Sequence, residues 1–231
     1  MYRETHLEDL SNWKGCERPQ RVVLEGQYVR LEPLDAEAHG DGLYEAATAG
    51  DADARFRYLP TETPPQSREA FQPWLDKAQA SLDPMYFTVI DKASGKIGGR
   101  QTIMRMDPPN GVAEIGNIHW GPLIQQKPAT TEALYLTALY LFDALGYRRF
   151  EWKCNNGNEP SKRAALRYGF VFEGVFRKHM ITKGQNRDTA WYAMTDDDWK
   201  IAKPAFEAWL SPSNFDADGK QMKRLDELRA K

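Results

Sequence analysis

Glu114-Ile-Gly-Asn-Ile-His-Trp120, Gln125-Gln-Lys-Pro-Ala-Thr130, Thr131-Glu-Ala-Leu-Tyr-Leu-Thr-Ala-Leu-Tyr-Leu-Phe-Asp-Ala-Leu145 and Arg149-Phe-Glu-Trp-Lys-Cys154 decide how this chain is read. In order they are a strand, a short polar loop, a nearly all-apolar helix and a second strand. An Asn-rich turn follows, then a short helix from Pro160 that stops at Gly169. A loop between strand and helix presents unpaired backbone N–H groups, a ready site for an anion. The whole unit is a candidate nucleotide-cofactor site.

On either side of this unit the pattern extends to a full domain. Gln27–Leu34 alternates as a first strand, and Asp35 caps a helix over Ala36–Ala47. Gly50–Pro65 reads as loop, and Ser67 caps a helix to Ala80. Met85–Ile90 and Lys96–Met104 form a hairpin pair, and Gly111 turns the chain into Val112–Trp120. After Phe170, strands Val171–Thr182 and Thr189–Met194 flank a turn over Lys183–Asp188, and Asp196–Leu210 is a terminal helix. The order is that of an α/β domain on a mixed sheet. Residues 1–21 read as an N-terminal extension, 22–199 as the domain, and 200–231 as a C-terminal helix with a charged, frayed tail.

A length of 231 residues, 41% hydrophobic and 12% aromatic, suffices for one sizeable core. The net charge of -2 gives no general pull towards nucleic acid or anionic membrane. Met1–Leu10 is charged with no apolar segment, so no secretory leader is expected. The apolar run Ala133–Leu145 is interrupted by Thr137 and Asp143 and falls well short of the ~20 residues that span a bilayer. Cys16 and Cys154 lie far apart without metal-ligand spacing, so no metal is expected. Cys154 ends an apolar strand as a reduced, buried thiol, in keeping with a soluble, cytoplasmic setting.

Ile115–Trp120, Gln125–Ala133, Leu145-Gly-Tyr-Arg-Arg-Phe150, Asn158-Glu-Pro-Ser161 and Arg167-Tyr-Gly-Phe170 together resemble the GNAT acetyl-CoA-dependent N-acetyltransferases, in the branch similar to the ribosomal-protein alanine acetyltransferases. The resemblance spans Val22–Trp199. It implies a GNAT-type α/β fold, with a mixed sheet of about seven strands flanked by helices and splayed at the cofactor cleft. It implies acetyl-CoA as co-substrate, a small-molecule or peptide amine as acceptor, and a monomer or homodimer.

In that family the loop before the long helix wraps the CoA diphosphate, which implicates Gln125, Lys127, Ala129, Thr130 and Thr131. Pro128 departs from the family's Gly-rich loop and removes one N–H donor. The pantetheine arm lies beside Ile118, His119, Trp120 and Asn155. Asn158 matches a residue that touches it, Ser161 one near its sulfur, and Arg163, with Lys162, can reach outer phosphates. Ser161 and Tyr168 are candidate acids for the departing thiolate.

A general base is sought in Glu114 or His119 on the strand beside the thioester. Their separation of five residues puts them on opposite faces unless a bulge, which Gly116 permits, intervenes. With no nucleophilic cysteine context, direct attack by the amine is expected. The acceptor wall falls to the early helices and late loops, which carry no readable motif. Alternatives are a non-catalytic acyl-CoA binder or sensor, and an interaction protein docking through the Trp-rich helix Trp199–Trp209. Phe170, Phe172, Phe176, Trp191 and Tyr192 read as core, and Arg177, Lys178, Lys183, Arg187 and Lys200 as a solvated basic edge.

Overall fold

The computed structural model describes residues 8–229. Most of the stretch read for a leader, and the last two residues of the tail, lie outside that range. Eight strands form one sheet in the order β1-β2-β3-β4-β5-β6-β8-β7. They are β1 (Leu24–Glu25), β2 (Val29–Pro33), β3 (Met85–Asp91), β4 (Ile97–Asp107), β5 (Val112–Trp120), β6 (Arg149–Asn155), β7 (Val171–Thr182) and β8 (Gln185–Thr195). The helices are α1 (Ala36–Thr48), α2 (Ala52–Phe56), α3 (Arg68–Ala80), α4 (Pro128–Leu139), α5 (Glu159–Tyr168), α6 (Asp196–Leu210) and α7 (Leu225–Arg229). The β5–β6 pair is parallel and the other neighbours are antiparallel. Two antiparallel halves thus meet at one parallel seam, bridged by α4 as the crossover.

The main core lies on the α4–α6 face, where Leu134, Leu141, Phe150, Tyr192, Trp199 and Phe206 are buried together. The smaller core on the opposite face joins Leu43 of α1 to Phe71 and Leu75 of α3. Trp199 and Trp209 are both 4% exposed, so the Trp-rich helix turns its indoles inward and offers no docking surface of the kind considered above. Helical spacing placed both rings on one stripe, and the core is what that stripe meets.

Several boundaries differ from the sequence reading. α4 starts at Pro128, three residues earlier than expected, and passes into a π-turn over Tyr140–Ala144. The Gly50–Pro65 segment holds α2, capped by Asp51. The β7–β8 turn is tighter than read, because Lys183 and Gly184 both take positive φ (49° and 74°) and let β8 begin at Gln185. The charged tail is docked rather than frayed. Leu225 is 1% exposed, and Arg229 donates to the Arg167 and Leu166 carbonyls at the end of α5. Phe172 and Phe176, read as core, are about half exposed (48% and 50%), because β7 is an edge strand.

Candidate functional site

β5 and β6 pair from Val112 opposite Arg149 to Ile115 opposite Trp152, and then part. β5 runs on to Trp120 without β6 beside it, while β6 stays paired to β8 as far as Asn155. The cause lies in β5. Against β4, Arg100 faces His119 but Thr102 faces Gly116, so β5 carries one extra residue, and Asn117 takes φ 46°. This bulge reverses the alternation. Ile115, Ile118 and Trp120 all pack towards the α4 core, and Glu114 and His119 share the opposite face. The strict period of two is therefore corrected by the very bulge that was its stated exception.

A cavity opens on each side of the parted strands, and the two share no lining residue. The larger, about 580 Å³, lies at the N-terminus of α4 and is lined by Trp120, Gln125, Lys127, Thr130, Thr131, Arg163 and Tyr168, among others. Pro128 is the first residue of α4, where an N–H has no intrahelical partner in any case. Its missing donor therefore costs the helix nothing. The N–H groups of Gln126 and Ala129 are without a hydrogen-bond partner among the described residues, whereas those of Lys127 and Thr130 bond to Ile124 and Lys127 carbonyls. Arg167 donates to Thr131 Oγ1 at 3.1 Å and lies over the Trp209 ring at 4.9 Å. With Lys127, Arg163 and Lys220 it makes this cavity cationic. Tyr168 is buried here, and burial pushes its hydroxyl pKa up.

The smaller cavity, about 160 Å³, lies beneath the gap and is lined by Glu114, Gly116, Ile118, Lys153, Cys154, Asn155, Asn158, Ser161 and Arg187, with Arg55, Tyr58 and Leu59 as roof. Asn158 caps α5, its side chain accepting from the Ser161 N–H at 3.2 Å. Ser161 Oγ accepts from Trp152 Nε1 at 3.0 Å, which holds the hydroxyl against β6 with its own hydrogen available to donate and the Cys154 sulfur beside it. Glu114 is 5% exposed, and its carboxylate lies 2.9 Å from Lys153 Nζ and 3.5 Å from Arg105 Nε. Burial raises its pKa, with Lys153 opposing the rise. Lys153 also reaches Glu151 at 2.6 Å and sits over the Trp191 ring at 3.8 Å. Burial raises the Cys154 thiol as well, so it is a poor nucleophile although it lines the cavity.

His119 lines neither cavity. Its ring packs on Phe56 at 4.6 Å, and burial, aided by the Arg100 and Arg55 charges, drops its pKa to about 3. Such an imidazole stays neutral and is a feeble proton acceptor. No group of His, Cys, Asp and Glu side chains among the described residues is arranged to hold a metal ion.

Sequence reasoning missed several lining residues. Arg187 is not a solvated edge residue, being 8% exposed and lining the smaller cavity, whereas Lys183 is exposed as read, with its Nζ donating to the Phe56 carbonyl at 2.8 Å. Lys153 carried a signal, a cation between Trp152 and Cys154 in an otherwise buried strand. Arg55 and Tyr58 came from the segment without a motif. Phe215, Lys220 and Gln221 came from the tail, and nothing local marked them.

Comparisons with known proteins place the family and the fold. The family profile described as an acetyltransferase (GNAT) domain matches residues 29–171. A GCN5-related N-acetyltransferase from Brucella melitensis is 58% identical, with a TM-score of 0.94, over 95% of this chain and 99% of that one. A structure from Chromobacterium violaceum assigned to the same family is 35% identical, with a TM-score of 0.76, over 87% of this chain and 98% of that one. A Bacillus subtilis protein, YdaF, provisionally named a ribosomal N-acetyltransferase, is 28% identical over 110 residues, 47% of this chain and 59% of that protein.

Proposed function

The chain belongs to the GNAT family of N-acetyltransferases, and on that footing we propose that it moves the acetyl group of acetyl-CoA onto a primary amine by direct attack. The observation that carries the proposal is the parting of β5 and β6 beyond Ile115 and Trp152, with a cationic cavity on one side and a carboxylate-bearing one on the other. The residues present suit the cofactor. Free N–H groups at Gln126 and Ala129, the α4 dipole and the charges of Lys127, Arg163 and Arg167 together suit a diphosphate. The unpaired edge of Gly116–Trp120 suits the amide-bearing pantetheine arm, which can bond to it as a strand does.

Acetyl-CoA supplies the activated acetyl group; this chain's residues do the rest. Glu114, with its raised pKa, takes the proton from the attacking amine, and Lys153 holds the carboxylate in place. Backbone N–H groups at the bulge, near Ile118–Trp120, polarise the acetyl carbonyl. Ser161, oriented by Trp152, donates to the leaving thiolate. Tyr168 lies on the diphosphate side, and Ser161 is the better acid on position alone. The buried Cys154 thiol supports direct attack over an acyl-enzyme.

The test is a thiol-release assay with a panel of amines, run beside thermal denaturation with acetyl-CoA. Stabilisation together with amine-dependent thiol release is the expected result. Stabilisation without release from any amine would leave only a binder, and no stabilisation at millimolar acetyl-CoA would remove the proposal altogether.

A further inference from the structure

The cavity beneath the gap holds more positive charge than a simple amine can use. Arg55, Arg105, Lys153 and Arg187 line it, against the one carboxylate of Glu114. Three of the four cations have direct hydrogen-bond or ion-pair partners at their charged ends. Lys153 sits between Glu114 and Glu151. Arg105 lies 3.5 Å from Glu114. Arg55 donates through its two Nη atoms to the carbonyls of Ala47, Ala49 and Asp51 where α1 passes into α2, leaving only its Nε without a hydrogen-bond partner.

Arg187 is the exception. It is 8% exposed, its Nε donates to Thr189 Oγ1 at 3.2 Å, and neither Nη has a hydrogen-bond or carboxylate partner among the described residues. A buried guanidinium without a direct ion pair is costly, and its planar fork matches an oxyanion in two parallel bonds. The cofactor's phosphates do not explain it, since the cationic set suited to them lines the other cavity.

Resting on the proposed acetyl transfer, we propose that the acceptor is a small primary amine bearing an oxyanion, a carboxylate or a phosphate, and that Arg187 binds that group while Glu114 receives the ammonium end. The volume of about 160 Å³ suits this size of molecule, being close to the ~150 Å³ that admits a benzene ring. A polyamine or an unsubstituted alkylamine brings only positive charge to a site already in cationic excess, and is disfavoured.

The experiment is thiol release at pH 8 with matched pairs: each of the common amino acids and β-alanine against the amine lacking its carboxylate, O-phosphoethanolamine against ethanolamine, and spermidine as the cationic comparison. At least one oxyanion-bearing acceptor is expected to exceed its partner by about 100-fold in kcat/KM, and whether carboxylate or phosphate leads identifies the oxyanion. In Arg187→Gln that ratio should fall below about 10-fold, mainly through KM, with Arg187→Lys in between. The wild-type ratio decides alone should the variants fail to fold. Preference for spermidine or for the partners lacking the oxyanion, no oxyanion-bearing acceptor turned over, or an unchanged ratio in Arg187→Gln overturns the inference. If acetyl-CoA still stabilises the protein and some amine is acetylated, the acetyltransferase reading survives that loss. If neither holds, both fall together.

Discussion

His119 shows how neighbours set what a side chain can do. Its folded pKa is lowered from 6.5 to about 3, so the unfolded chain binds the proton first. Stability is therefore full above pH 6.5 and is lost as pH falls towards 3, by at most about 1.4 kcal/mol per pH unit from this group. In His119→Phe, thermal denaturation between pH 6.5 and 5 should show a shallower loss than in the wild type; an equal slope would place the acid sensitivity elsewhere. Glu114 sits on the same face with the opposite prospects, because it lines a cavity and its pKa is raised. Glu114→Gln should lower kcat/KM by about 10²-fold or more while acetyl-CoA binding, read by calorimetry, changes little. Ser161→Ala should lower kcat more than cofactor affinity, and an unaltered rate would retire the assignment of Ser161 as the acid.

α4 is anchored at its start by two devices that do separate things. Pro128 opens the helix with φ already set, and Glu132, one turn in, accepts from the N–H groups of Gln27, Tyr28 and Val29 at 2.7, 2.5 and 2.8 Å. The carboxylate thereby ties the β1–β2 turn to the helix that heads the larger cavity. Glu132→Gln turns an amide hydrogen towards backbone donors and loses charge-assisted bonds, for an expected cost of about 2 kcal/mol in denaturant unfolding. Pro128→Ala should cost only about 0.4–1 kcal/mol, with acetyl-CoA affinity preserved, because the proline withholds no N–H the site needs. A large loss of cofactor binding in that variant would mean the loop works differently.

The tail closes the molecule around the larger cavity. Leu225 seals the α5–α6 face, Arg229 caps α5, and Phe215, Lys220 and Gln221 line the larger cavity. Leu225→Ala should destabilise by about 2–4 kcal/mol, seen as a lower midpoint in urea, whereas a frayed tail would register nothing. The smaller cavity is likewise closed from a distance. Arg100, 3% exposed, pairs with Glu62 and so pins the segment that carries Tyr58 and Leu59, and Tyr58 Oη donates to the Gly157 carbonyl at 2.9 Å.

Short-range signals made the elements and the family resemblance legible from the chain alone. Ser67 and Asp35 cap the helices they were expected to cap, Asn158 caps α5, Gly169 ends α5 at φ 100°, and the apolar run after Thr131 is the buried crossover helix. These depend on neighbours within a turn or a hairpin, where side-chain chemistry and backbone geometry act together. Other features were decided elsewhere, and even the bulge that Gly116 permits is not fixed by the local sequence. The bulge at Asn117 reverses the face of every later residue of β5, and it takes the register against β4 to reveal it. The solitary guanidinium of Arg187, the seat of Arg55 and the docking of Leu225 depend on which distant surfaces the sheet brings together. Charge and burial there are properties of assembled neighbours, so only the folded chain could decide them.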